Sequence, residues 1–290
     1  MKISAARIGL ILILAAATAA CGKDDMPKYQ SLGDLRILDV LVDKPEASPG
    51  DLVTFTPILS DLRGSGREIN YTVQACVDPG LAYGADPVCT GTDTISIPTS
   101  TVTIPAGTDR TYTDMVTSFT LTMPDEITMF AGRSNADKYN GVVYLVQYNI
   151  WVTNGPAINS FLRVFVSDAA KTQKNQNPSI TSLDLNDNPI SSATTSIPMP
   201  AASNFRVISP QTASETYTTM QPDGSLLTRT EEMLNTWFVT DGEFDYSRTT
   251  GSVENKWSPP GAKPAGRNAV IVVVTRDGRG GSAFKKIEMY

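Results

Sequence analysis

The chain has 290 residues, with 30 acidic against 24 basic side chains, a formal net charge of −6 and no histidine. Without imidazole there is no Ser-His-Asp or Cys-His catalytic arrangement, no histidine-ligated zinc and no ordinary general base poised near neutrality. Carboxylate chemistry, Ser-Lys chemistry and oxygen-ligated calcium are what remain, and an acidic chain with few basic clusters is poorly suited to nucleic acid or to an anionic bilayer surface.

In chain order, Lys2 and Arg7 make a short positive region, residues 8–17 are an apolar run, and the small residues Thr18, Ala19 and Ala20 lead to Cys21. That order predicts a secretory signal peptide over residues 1–20. The run is shorter than the ~20 apolar residues of a spanning helix, and no second such run follows. Thr18-Ala19-Ala20-Cys21 resembles the lipobox of bacterial lipoproteins, in which the cysteine is lipidated and becomes the new N-terminus. The resemblance implies lipid on Cys21, a membrane held through that lipid and, because Gly22 rather than Asp follows, the outer membrane. Loss of Lys2 and Arg7 with the signal takes the charge from −6 to −8.

Residues 21–33 are polar and aperiodic, as expected of a tether. Residues 34–43 are a β-rich run, 45–50 a turn and 51–59 a second run with Val53 and Phe55 on one side. Residues 68–77 alternate, with Ile69, Tyr71, Val73, Ala75 and Val77 on one face, a pattern that buries one face and wets the other. Cys76 and Cys89, an even pair in an exported chain, read first as a disulfide around a turn-rich loop and second as a metal or redox pair. Further strands are expected over 101–104 and 115–123, then one helical turn or a long loop over 125–140. The strongest strand spans 141–152; it turns at Thr153-Asn154-Gly155-Pro156 into a partner over 160–167.

The polar stretch 171–177, ending before Pro178, is expected to link two domains, 34–170 and 178–290. In the second, residues 179–185, 204–209 and 233–240 read as strands, and 268–276 with 282–290 as a hairpin around Asp277-Gly278-Arg279-Gly280-Gly281. Short strands, frequent turns and no ordinary amphipathic helices predict an all-β chain of antiparallel sandwiches.

Asp34-Leu35 through Pro49-Gly50-Asp51 and Val53-Thr54-Phe55-Thr56 resembles the opening of bacterial immunoglobulin-like domains of the cell-adhesion-related kind. Thr236-Trp237-Phe238-Val239 before Asp241-Gly242, and Val272-Val273-Val274-Thr275-Arg276-Asp277-Gly278, are similar to polycystic-kidney-type modules. The resemblance implies two immunoglobulin-like β-sandwich domains and extracellular binding or spacing by fold analogy.

Three candidate sites stand out. Asp184, Asn186 and Asp187, in Asp184-Leu185-Asn186-Asp187-Asn188-Pro189, resemble the calcium-binding linker of cadherins, which implies calcium; the residues themselves read equally as a polar hairpin turn. Asp241, Glu243 and Asp245 alternate and could share a cation or act as an acid/base pair. Trp151, Trp237 and Trp257 could stack on sugars or pack in a core. The expected function is a non-enzymatic, membrane-anchored lipoprotein serving as an adhesion, scaffold or binding module for protein or glycan. The alternative is a calcium-dependent glycan-binding module or carboxylate-based hydrolase.

Overall fold

The computed structural model describes residues 28–62, 67–78, 88–89, 94–103, 110–112, 118–208, 215–262 and 267–290. The expected signal peptide over residues 1–20 and Cys21 lie outside the described residues, as does most of the loop between Cys76 and Cys89. The chain is all-β and built from antiparallel sheets, as expected. The first sheet orders β1 (Arg36–Val42), β3 (Leu52–Asp61) and β6 (Arg110–Tyr112), with β7 (Phe119–Thr122) also paired to β3. The second orders β2 (Glu46–Ala47), β9 (Ala157–Val166), β8 (Val142–Val152), β4 (Glu68–Val77) and β5 (Ile95–Thr103). Alternate residues of these two sheets meet in one core that includes Val53, Phe55, Val73, Tyr144 and Tyr148.

The C-terminal half builds a second pair. One sheet orders β11 (Asn188–Ser191), β10 (Ser182–Leu185), β13 (Ser203–Ile208), β19 (Asn255–Ser258) and β17 (Glu243–Phe244). The other orders β12 (Ser196–Ile197), β21 (Ser282–Met289), β20 (Ala269–Arg276), β16 (Leu234–Val239) and β18 (Arg248–Thr250). Phe205, Trp237, Phe244 and Trp257 fill the core between them. In both pairs a two-residue strand joins a later strand in parallel, β2 with β9 and β12 with β21, while the other ladders are antiparallel.

The two pairs pack face to face. Leu38 and Ile58, on the outer side of the first sheet, meet Phe238, Val270, Val272 and Val274 of β16 and β20. The unbroken apolar run of β20 follows from this: Ile271 and Val273 point into one core while Val270, Val272 and Val274 point into the other. A sheet with one wet face alternates apolar with polar, whereas one covered on both faces reads as a continuous apolar run. Asp39, at a bulge in β1, crosses the same seam to Arg276 at 2.9 Å.

Two segments differ from their sequence reading, and a third had none. Residues 28–33 are not all tether, because Leu32 N–H donates to Val239 O and Val239 N–H to Gln30 O, with Gln30 and Leu32 buried. Residues 125–140 hold two short helices, α1 (Glu126–Phe130) and α2 (Asn135–Asn140). Asp125 caps the first, and Ser134 with Asp137 makes a capping box for the second. Residues 216–230, which carry no strong period, form a separate hairpin of β14 (Thr216–Met220) and β15 (Leu226–Thr230). Cys76 and Cys89 are disulfide-bonded with Cα atoms 5.7 Å apart, tying the end of β4 to the following loop.

Phe238→Ala should remove the largest wedge between the sheet pairs and lower the unfolding free energy by about 3–5 kcal/mol. Denaturant unfolding checks this, and because both faces of β16 are buried, the loss should appear in one transition reported alike by both halves of the chain.

Candidate functional site

The β20–β21 hairpin turns through Asp277-Gly278-Arg279-Gly280-Gly281. Asp277 closes the turn by accepting from the N–H groups of Arg279 at 2.7 Å and Gly281 at 2.9 Å. Gly280 has φ of 98°, and a Cβ there would meet Arg163 O and Pro45 O at 3.3 and 3.4 Å. A side-chain-free turn is therefore what lets this hairpin press against the N-terminal sheet pair. At Gly280 its backbone faces β9 and Pro45.

Arg279 carries the contact across the junction. Its guanidinium pairs with Glu231 at 2.6 Å and Glu46 at 3.2 Å, and lies 4.0 Å from the centroid of the Tyr217 ring. Glu46, whose side chain is 2% exposed, also pairs with Lys171 at 2.7 Å and accepts from Asn175 N–H at 2.9 Å. The Asn175 amide donates to Asp277 at 2.7 Å. Asn177 donates to Val42 O and accepts from Ser282 N–H. Residues 171–177, expected as a linker, thus form a buried polar seam joined to both sheet pairs. Burial pushes the carboxyls of Glu231 and Asp277 above their usual range against the pull of Arg279. It also lowers the Lys174 ammonium, with Glu46 opposing.

A cavity of about 220 Å³ opens beside this cluster. Charged side chains of Glu46, Lys171 and Arg279, the rings of Phe165 and Tyr217, and the polar Asn140 and Thr219 line it. β14, which supplies Tyr217 and Thr219, is bound to α2: Tyr139 Oη lies 2.7 Å from Thr218 Oγ1, and the Asn140 amide exchanges two hydrogen bonds with the Met220 backbone at 2.8 and 2.9 Å. The cavity can take a small polar ligand with an aromatic or planar face, stacked near Tyr217. Nothing in the sequence marked Glu46, Lys171, Glu231 and Arg279 as neighbours; the excess of amide and ammonium side chains in 171–177 was the one available sign.

The predicted sites fall elsewhere. Asn186 and Asp187, at φ of 49° and 62°, are the two residues of the β10–β11 turn, the left-handed geometry that Asn and Asp tolerate best. Asp184 and Asp187 converge on the guanidinium of Arg206, at 2.8 and 3.1 Å, and Asn186 Oδ1 accepts from Asn204 N–H. A cation is already present in that cluster as an arginine. Asp241 pairs with Arg267 at 2.9 Å and Glu243 with Lys28, so their carboxylates serve different partners. Trp237 and Trp257 are fully buried in the second core. Among the described residues, the Ser-Lys chemistry left open by composition has a pair in Ser167 Oγ and Lys174 Nζ at 2.8 Å. Ser167 is wholly buried, and the ammonium also donates to Ala47 O and Ser167 O, so the pair acts as a brace.

No family model matches the chain, and no curated protein matches it. Among solved structures it is similar to red sea bream transglutaminase at 10% identity and a TM-score of 0.27, covering 88% of this chain but 31% of that one. The sporulation control protein of Bacillus subtilis is similar at 11% identity and a TM-score of 0.27, with 89% and 91% covered. Salmonella α2-macroglobulin reacted with methylamine follows at 10% identity and 0.25, with 92% and 17% covered. The chain therefore spans about a third of the transglutaminase's length and under a fifth of the macroglobulin's, and likenesses this slight carry no functional argument.

Two outcomes are expected at the junction. Arg279→Ala leaves Glu46 and Glu231 buried with less compensation, and should cost about 3–5 kcal/mol in denaturant unfolding. Glu231 binds its proton more readily folded than unfolded, so wild-type stability should rise as pH falls from neutrality through its raised pKa toward the ordinary glutamate range. Glu231→Gln removes that titration; the stability difference between wild type and variant, followed by thermal melts across this window, should shift in favour of wild type on acidification.

Proposed function

We propose that the chain is a non-enzymatic, lipid-anchored lipoprotein of the bacterial outer membrane, acting as an adhesion, scaffold or binding module of the cell envelope. The observation that carries this reading is the N-terminal order of Lys2 and Arg7, an apolar run, and Thr18-Ala19-Ala20-Cys21. A pairing of Cys76 with Cys89 supports it, because structural disulfides persist in exported proteins and are rare in the reducing cytosol. On this reading the sheet pairs are immunoglobulin-like domains, and their packing makes a stiff body on the lipid. The cavity beside Arg279 and Tyr217 is where a small polar group of a protein or glycan partner would insert. Its side chains are engaged with one another before any ligand arrives, which suits binding to a preformed surface.

The test is Cys21→Ser. In cells fed labelled palmitate the wild-type chain should take up label and sediment with membranes, while the variant should lose both. A variant that still carries lipid label would overturn the anchor, and a wild-type chain recovered unlabelled from the cytosol would overturn export as well.

A further inference from the structure

We propose that the outer face of the second sheet binds an extended, uncharged polysaccharide chain. This supplies a ligand class for the binding module proposed above and makes no use of the lipid anchor. On β4, β8 and β9, Tyr71, Val73, Tyr148, Ile150 and Val164 point into the first core, and their neighbours in each strand point the other way. Register sets Asn149 between Thr72 and Asn159, and Gln147 between Gln74 and Phe161. Trp151 heads the same column, beside Asn70. All of these side chains are half-buried or exposed, and none belongs to the three apolar clusters. Trp151, unlike Trp237 and Trp257, is thus an indole left available to a ligand.

Charge and hydrogen bonding on this face select the ligand. Among the described residues, the rows through Trp151, Asn149 and Gln147 carry no charged side chain, in a chain whose formal net charge is −6. Charges stand only at the ends: Glu68 beyond Trp151, and Arg163 beyond Phe161, where it pairs with Asp78 at 3.5 Å. Gln74, Asn149 and Asn159 have no side-chain hydrogen bond among the described residues. An amide offers two donors and an acceptor with two lone pairs, which suits hydroxyl and ring oxygens and asks for no ion. Gln147 accepts from Cys89 N–H at 3.0 Å, so the disulfide borders the face. Aromatic rings flank the amides. Trp151 is half-buried, and Phe161 is 48% exposed with the Arg163 guanidinium 5.1 Å from its centroid. Four residues along a strand and one step between strands separate the two, about 14 Å, a span for several linked sugar rings rather than one. A sugar ring turns an apolar C–H face to an aromatic ring and hydroxyls outward from its edge, so aromatic side chains at both ends of an amide column fit a neutral chain lying along it.

The full chain, purified in a detergent without a sugar headgroup, would be run on native gels cast with hydroxyethylcellulose, glucomannan or arabinoxylan. At least one of these neutral polymers should retard it, and polygalacturonate, which is anionic, should not. Trp151→Ala and Phe161→Ala should each weaken retardation about tenfold through loss of one stacked ring. Phe161 is exposed and outside the cores, so its variant should melt with the wild type, which separates lost binding from lost folding. Retardation by none of the neutral polymers overturns the proposal and leaves the anchor to the palmitate test. Retardation that survives both substitutions also overturns it and leaves glycan binding to the cavity beside Arg279. A concentration-dependent dimer in sedimentation that Phe161→Ala dissolves marks the face as contact between copies and overturns it as well.

Discussion

Arg279 leaves a hairpin turn of the C-terminal sheet pair and meets Glu46 from the N-terminal pair and Glu231 from its own, with Lys171 completing the group. Charges taken this far out of water are stabilised only by one another and by well-placed hydrogen bonds. The contact therefore demands a fixed geometry more than it adds stability. The carboxylates Glu46, Glu231 and Asp277 thus stand close to the cations Lys171, Lys174 and Arg279, each offsetting part of the others' cost of burial. Tyr217, which lines the cavity, is stacked on this guanidinium, while β14 is bound to α2 by hydrogen bonds of its own.

The apolar seam does complementary work. Charged contacts select one relative placement of the sheet pairs, while Phe238, Val270, Val272 and Val274 against Leu38 and Ile58 supply the area that holds it. Removing the side chains of one class without the other has different meanings: a lost apolar wedge weakens the seam, and a lost arginine leaves buried charge without compensation. Residues 171–177 take part in both halves at once. Lys174 Nζ donates to Ala47 O, the Asn175 N–H to the Glu46 carboxylate and the Asn175 amide to the Asp277 carboxylate, contacts that a mobile spacer could not hold.

Period-two alternation made the strands of 68–77 and 141–152 legible, because each strand's side chains point to opposite faces whatever the rest of the chain does. Turn chemistry located the hairpin ends at Asn186-Asp187 and at 277–281 for the same local reason. The pairing of Cys76 with Cys89 followed from their even number and the expectation of export. The short strands β2, β12, β17 and β18 left no period to detect, and the β14–β15 hairpin is held by α2 rather than by an apolar stripe of its own. The second buried face of β20 was written in its continuous valines, but an apolar run does not say what covers it. What the sequence by itself determined is therefore the extended segments, their inward faces and the turns, all set by neighbours in the chain. The junction, its charge cluster and the cavity were decided only by tertiary structure. Glu46 and Arg279 are 233 residues apart, and no local rule relates two side chains whose meeting depends on how four sheets stack.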